Sequence, residues 1–170
     1  ETITLLKIGE RIEIVEKIDR KINFKGIDSP WYKVKYKNET GYVIGGLISL
    51  TEKKSSGIKC FVGLERKNGK LYILTRIISN SVSSYFENKS EFLGDNYGFC
   101  VKIFDNKGLE NIDNIIFINY LPESCGANSG GYYLFLDNSE LHKVIDLTSR
   151  GDIGVWESEN LYFPKDSLGI

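Results

Sequence analysis

The sequence predicts an all-β protein in which a small, twisted β-module precedes an antiparallel β-sheet domain with at most one short helix. Charged and apolar residues alternate over Arg11–Val15 and over Trp31–Tyr36, which is typical of half-buried strands. Turn-forming residues separate such segments, and the chain contains 17 glycines but only 3 prolines. Helical periodicity is scarce by comparison. These observations together favour short strands that are connected by turns.

The β-module is predicted to cover residues 1–50. Its first strand places Ile12 and Ile14 on one face. Its second strand has a core face and an outward face, formed by Tyr32, Val34 and Tyr36 and by Trp31, Lys33 and Lys35 respectively. Lys37–Gly41 is predicted to be a tight turn into a third strand, Tyr42–Ile44, and a Gly-Gly pair then allows a sharp bend.

Residues 51–57 are polar, charged and serine-rich, and we interpret them as a linker to a second domain, 58–170. In that domain, the Asn-Gly pair within Lys67–Lys70 is the strongest hairpin signal of the chain. Ser81–Leu93 is the only segment that could form the short helix, because its apolar residues share a rough face. Asn-containing turns recur later, but their flanking sequences do not repeat, which favours an antiparallel meander over propeller blades.

The charge balance argues against a nucleic-acid partner. The chain has 22 basic and 23 acidic side chains, for a formal net charge of −1. Proteins that bind nucleic acids normally carry a basic surplus that replaces the counterions around phosphates. The lysines of this chain are instead interrupted by glutamates, so we interpret them as parts of solvated faces.

The chain is not expected to contain a transmembrane segment. No apolar run approaches the roughly 20 residues that a membrane-spanning helix needs. The sequence contains no methionine and begins at Glu1, so we expect an upstream segment such as a signal peptide or a lipid anchor.

The sequence contains 3 cysteines and 1 histidine, and we predict neither a metal site nor a cofactor. Cys60, Cys100 and Cys125 lack Cys-x-x-Cys spacing, so either one disulfide or three reduced thiols is compatible with the sequence. Cys125 and His142 are candidates for a nucleophile and base. However, the glycine-rich loop around Cys125 lacks a strand-to-helix nucleophile elbow, and we therefore predict that the protein is not an enzyme.

Five acidic or amide residues form a second set of candidates, as oxygen ligands for calcium: Asp105, Asn106, Asp137, Asn138 and Asp152. They do not follow the order of a dedicated calcium loop. Because such side chains bond to nearby backbone groups, we interpret them as turn formers.

The aromatic residues of the β-module are the best candidates for ligand binding. Aromatic side chains on a β-sheet can line a groove for an extended peptide or stack on sugars. Alternation assigns Tyr32 and Tyr36 to the core with Val34. Trp31 and Tyr42, together with the neighbouring lysines Lys33 and Lys35, are therefore the predicted ligand-binding residues.

At these residues the sequence resembles the bacterial Src-homology-3-type (SH3-like) domains. The resemblance rests on four segments of the module, namely Gly9–Ile14, Pro30–Lys35, Thr40–Val43 and Gly46–Ile48. It implies a five-stranded, partly open SH3-like barrel, and a targeting or interaction role in an exported protein of the cell envelope. The family usually has a strand before the position of Gly9, where only Glu1–Lys7 are present, and Tyr42 replaces a frequent tryptophan.

We therefore expect a non-enzymatic binding module of an exported bacterial envelope protein, located in the periplasm, the cell envelope or outside the cell. Its expected partner is a protein, a peptide or a cell-wall glycan. Two alternatives remain open at this stage. One is a cysteine-dependent hydrolase that uses Cys125 and His142, and the other is a structural protein that forms oligomers through its sheet edges.

Overall fold

A computed structural model describes residues 4–79, 85–95, 98–138 and 140–166, and its fold is all-β, as predicted. The strands are β1 (Glu13–Phe24), β2 (Ile27–Tyr36), β3 (Glu39–Ile44), β4 (Thr51–Ser55), β5 (Ile58–Lys67), β6 (Lys70–Ser79), β7 (Tyr85–Glu91), β8 (Phe99–Phe104), β9 (Asn114–Tyr120), β10 (Gly131–Leu136), β11 (Leu141–Leu147), β12 (Ser149–Asp152) and β13 (Val155–Ser158). A single 3₁₀ turn, Gly45–Leu47, is the one helical segment in the described part of the chain. Within the same residues, no helix has the length and hydropathy of a membrane span.

The chain divides into two compact units. The first contains Glu1–Glu52 and Lys59–Glu91, and the second contains Lys53–Ile58 and Phe92–Ile170. This division differs from the predicted boundaries, because most of β5 and all of β6 and β7 belong to the same unit as the predicted N-terminal module.

In the first unit, β1, β2 and β3 form a three-stranded antiparallel sheet in that order. Two register shifts interrupt the pairing of β1 with β2, as expected for a strongly twisted ribbon. The turn between them contains Lys25 and Gly26, both with positive φ. The backbone N–H of Arg66 donates a hydrogen bond of 2.8 Å to the carbonyl oxygen of Lys25, which fastens this turn to β5.

A second sheet has the order β4-β5-β6-β7. The Asn68-Gly69 hairpin between β5 and β6 is confirmed, since both residues have the positive φ that such a turn requires. Cys60 and Val62 of β5, like Ile73 and Ile77 of β6, are almost fully buried. No closed barrel is formed by the described residues.

Two segments of this sheet are strands where the sequence favoured other structures. Residues 51–57 are not an irregular linker, because Thr51–Ser55 form strand β4, whose polar sequence suits an exposed strand at a sheet edge. The candidate helix Ser81–Leu93 is a strand over Tyr85–Glu91, which form β7, while residues 80–84 lie outside the described part. Cross-strand ion pairs with β6, such as Arg76–Glu87 at 2.5 Å, favour this strand although its sequence is largely polar.

The second unit contains a four-stranded antiparallel sheet in the order β11-β10-β9-β8 and the separate hairpin of β12 and β13. The central strands β9 and β10 are almost continuously buried. The rings of Phe117 and Tyr133 stack with their centroids 4.4 Å apart, and Phe163 of the C-terminal segment packs edge-on against Tyr133. The connection from β8 to β9 covers residues 105–113.

Candidate functional site

The predicted ligand-binding residues lie together on one face of the β1–β3 sheet. Trp31, Lys33 and Lys35 alternate along β2 and therefore project to the same side. Tyr42 of β3 is the direct cross-strand partner of Lys33, which places its side chain on that side as well. We call these four residues the aromatic–basic face.

Its side chains are available to solvent to different degrees. Tyr42 is 61% exposed and Lys35 is exposed, whereas Trp31 and Lys33 are half-buried. Partial burial fixes the position of an aromatic ring while one side remains free for contact.

Acidic residues of β1 lie directly beside the two lysines of this face. Glu16 is paired with Lys33, and Glu13 is paired with Lys35. Basic and acidic groups therefore alternate across the sheet. Such a surface favours ligands that carry both donors and acceptors over polyanions, which bind to a net positive field.

The other side of the sheet contributes to an apolar groove with a volume of about 270 Å³, which the sequence analysis missed. Tyr32, which the sequence assigned to the core, lines the wall of this groove. Val34 is buried as predicted, at 4% exposure. The remaining apolar lining comes from separate parts of the first unit, namely Ile14, Phe24, Ile27, Pro30, Ile48, Leu50 and Leu64. The volume is below the usual range of small-molecule pockets and suits one or two amino-acid side chains.

Two glycines give this groove its shape. A Cβ atom on Gly46 would lie 2.5 Å from the Phe24 ring, and a Cβ atom on Gly45 would lie 3.0 Å from the Tyr32 ring. Both distances are shorter than van der Waals contact, so larger residues would push the aromatic walls apart. The predicted bend at this pair is the 3₁₀ turn of the structure.

The structure does not bring Cys125 and His142 together. His142 pairs with Phe135 near the turn between β10 and β11, and its Nε2 atom lies 3.3 Å from the Asp137 carboxylate. Cys125 lies in the exposed loop that enters β10 at Gly131, the opposite end of the strand. The four residues that separate these rungs correspond to about 13 Å of strand.

The cysteines form no disulfide, and most of the Asx candidates bond to the backbone of turns. All three cysteines are free, with Cys60 buried and Cys125 exposed. Four of the former calcium candidates accept hydrogen bonds from nearby backbone N–H groups, namely Asp105, Asn106, Asp137 and Asp152. This is the turn-forming role that was predicted. Among the described residues, no group of three or more His, Cys, Asp and Glu side chains is arranged to hold a metal ion.

Burial and ion pairing shift the pKa values of several ionisable groups. Burial raises the pKa of the Cys60 thiol to about 12. A hydrogen bond from Lys89 lowers the pKa of Glu65, and a hydrogen bond from Lys107 lowers the pKa of Asp166. The last two pairs are exposed ion pairs of the kind that adjusts local stability.

Comparison with protein-family models, with curated proteins and with solved structures finds no significant match.

Proposed function

We propose that the chain is a non-enzymatic binding protein of the bacterial cell envelope, and that its aromatic–basic face contacts a protein, a peptide or a cell-wall glycan. The envelope location rests on the resemblance of the N-terminal module to bacterial SH3-like domains. The observation that carries the binding proposal is the register that places Trp31, Lys33, Lys35 and Tyr42 on one side of the sheet.

The spacing of these residues suits an extended ligand. Successive same-side residues of a strand are about 7 Å apart, so Trp31 and Lys35 span about 13 Å along β2. The rings of Trp31 and Tyr42 offer flat apolar surfaces for sugars or aliphatic side chains. The ammonium groups of the lysines donate hydrogen bonds to carboxylate and carbonyl oxygens.

A binding assay with surface variants tests this proposal. We expect the natural chain to co-sediment with purified peptidoglycan or to bind members of an array of envelope-protein peptides. The double variant Trp31→Ala/Tyr42→Ala should weaken this binding by at least about tenfold, as expected when central aromatic contacts are removed.

Tyr162→Ala is the matched control, because Tyr162 is also an exposed aromatic residue but belongs to the second unit. The control should bind like the natural chain. Equal binding by the double variant and the control, with both correctly folded, would refute the proposed face.

The apolar groove is a second possible contact for the same ligand, where an apolar side chain would be inserted. Gly63 lines the groove, and a Cβ atom at this position would have no atom of the described residues within 4 Å. Gly63→Val therefore adds bulk to the wall at a position with room for its Cβ atom. If Gly63→Val alone weakens binding, the ligand contacts the groove. If binding is unchanged, the ligand contacts the aromatic–basic face.

A further inference from the structure

The hairpin of β12 and β13 exposes three large apolar side chains in the second unit. Ile153 is 98% exposed, Val155 is 73% exposed and Trp156 is 76% exposed. All residues from 150 to 157 are exposed, and a Cβ atom on Gly154 would meet nothing within 4 Å. The side chains of the hairpin end are therefore exposed, while its backbone is attached to the preceding loop, where the N–H of Gly126 donates a hydrogen bond of 2.8 Å to the carbonyl oxygen of Gly151. We call Ile153, Val155 and Trp156 the apolar tip.

The polarity of the hairpin changes with distance from its turn. Ile153 and Gly154 form the turn, and Val155 and Trp156 occupy the next two rungs, opposite Asp152 and Gly151. These two rungs are about 7 Å deep at the spacing of a β-strand. The following rung pairs two opposite charges, Arg150 and Glu157.

We propose that the apolar tip inserts into the interfacial layer of a lipid bilayer, with the charged side chains of Arg150, Asp152 and Glu157 among the polar head groups. Interfacial protein segments bury their apolar side chains about 5–10 Å into this layer, which matches the depth of the tip. Tryptophan favours this region because its ring is apolar while its N–H can reach polar groups. This inference concerns the second unit and is independent of the proposed face on the first.

The size of the apolar tip favours a lipid surface over a protein partner. A specific protein interface buries roughly 800 Å² on each side. One tryptophan contributes at most about 250 Å², and isoleucine and valine contribute less. Three side chains on a protruding turn therefore fall short of that area, whereas insertion into lipid requires no complementary surface.

The charges of the hairpin indicate which lipids it prefers. Asp152 is paired with Val155 in the first rung after the turn, and its Oδ1 atom accepts a hydrogen bond of 2.7 Å from the N–H of Ile153. With Glu157 it outnumbers the single basic side chain of the hairpin, Arg150. Because anionic lipids repel a negative surface, we expect stronger binding to zwitterionic phosphatidylcholine vesicles.

Fluorescence can follow the tip directly, because the chain contains only 2 tryptophans. The variant Trp31→Phe leaves Trp156 as the single tryptophan of the full chain. We expect phosphatidylcholine vesicles to shift its emission to shorter wavelength, and lipids brominated near the head group to quench it more than lipids brominated deep in the acyl chains. An unchanged emission at high lipid concentration would refute the proposal.

Vesicle co-sedimentation of the natural chain measures the contribution of the tip. Ile153→Ser and Val155→Ser should each lower the partition coefficient on the order of tenfold, since each removes an inserted aliphatic group. Leu47→Ser is the control, because Leu47 is 60% exposed but lies in the first unit, and its partition should equal that of the natural chain. The contrary outcome is a natural chain that fails to bind vesicles and forms a dimer that Ile153→Ser dissociates, as measured by light scattering. In that case the tip is a protein contact and the lipid proposal is wrong.

Discussion

The hairpin of β1 and β2 and the central pair β9–β10 are both antiparallel ribbons, but different forces hold them. In the 12-residue β1, only Ile18 and Phe24 are half-buried and all other residues are exposed. In β10, five of six residues are buried. The first ribbon therefore depends on cross-strand pairing and on its docked turn, whereas the second depends on burial of apolar surface.

This difference separates the surfaces available for binding from the part that stabilises the fold. The aromatic–basic face lies on the first ribbon, whose outward side is accessible to ligands, whereas Val34 on the opposite side of β2 is buried. A strand buried on both sides has no accessible side chains with which to bind. Substitutions in the two ribbons should accordingly affect different properties.

The largest expected effect is the loss of a buried aliphatic side chain from the second ribbon. Ile118 of β9 is completely buried, and Ile118→Ala should lower the free energy of unfolding by about 2–5 kcal/mol. Ile22→Ala in β1, where the side chain is 43% exposed, should cost less than about 1 kcal/mol. Denaturant titration followed by circular dichroism measures both, and equal losses at the two positions would contradict the comparison.

An intermediate effect is expected at the turn that fastens the first ribbon. Gly26 has φ +75°, and a Cβ atom there would overlap the carbonyl oxygen of Arg66. Gly154 has the same φ with open space around it, so Gly154→Ala measures the cost of the backbone conformation alone, about 1–2 kcal/mol. We expect Gly26→Ala to cost about 1–3 kcal/mol more, since the turn must move away from β5.

Hydrogen exchange provides the second measurement for this turn. The N–H of Arg66 donates to Lys25, so it should lose protection in Gly26→Ala and keep it in Gly154→Ala. Equal stabilities and equal protection in the two variants would show that the docked turn does not hold the ribbon.

The parts of this fold that follow local rules could be predicted from the sequence. The alternation of β2 and the Asn68-Gly69 hairpin each depend on neighbouring residues. Strand β7 could not be predicted in this way, because its polar side chains are stabilised by ion pairs with a strand that they meet only after folding.

Like strand β7, the apolar groove depends on contacts between residues that are distant in sequence. Ile14, Ile48 and Leu64 line it together, although each belongs to an ordinary apolar pattern far from the others in sequence. Nothing in the local spacing indicates that these residues share a cavity. Only the tertiary arrangement of the first unit reveals it.

The smallest effect is expected where an exposed ion pair supplements burial in the second unit. Phe163 fastens the C-terminal segment by packing against Tyr133, and nearby Lys107 Nζ lies 2.7 Å from Asp166 Oδ1. The hydrogen bond from Lys107 lowers the pKa of Asp166 below its unfolded value of about 3.9. The pair therefore stabilises the fold above that pH, and this contribution is lost as the pH falls through the lower, folded pKa.

The variant Asp166→Asn should remove this acid-dependent contribution. The melting temperature of the natural chain should exceed that of the variant slightly near pH 6, and the difference should shrink as the pH falls below about 4. Lys107→Ala should reduce the same difference, and it should have little further effect in the Asp166→Asn background. A difference that stayed constant from pH 6 to pH 2 would mean that Asp166 acts through packing and not through its charge, which would assign the whole attachment of this segment to buried contacts such as that of Phe163.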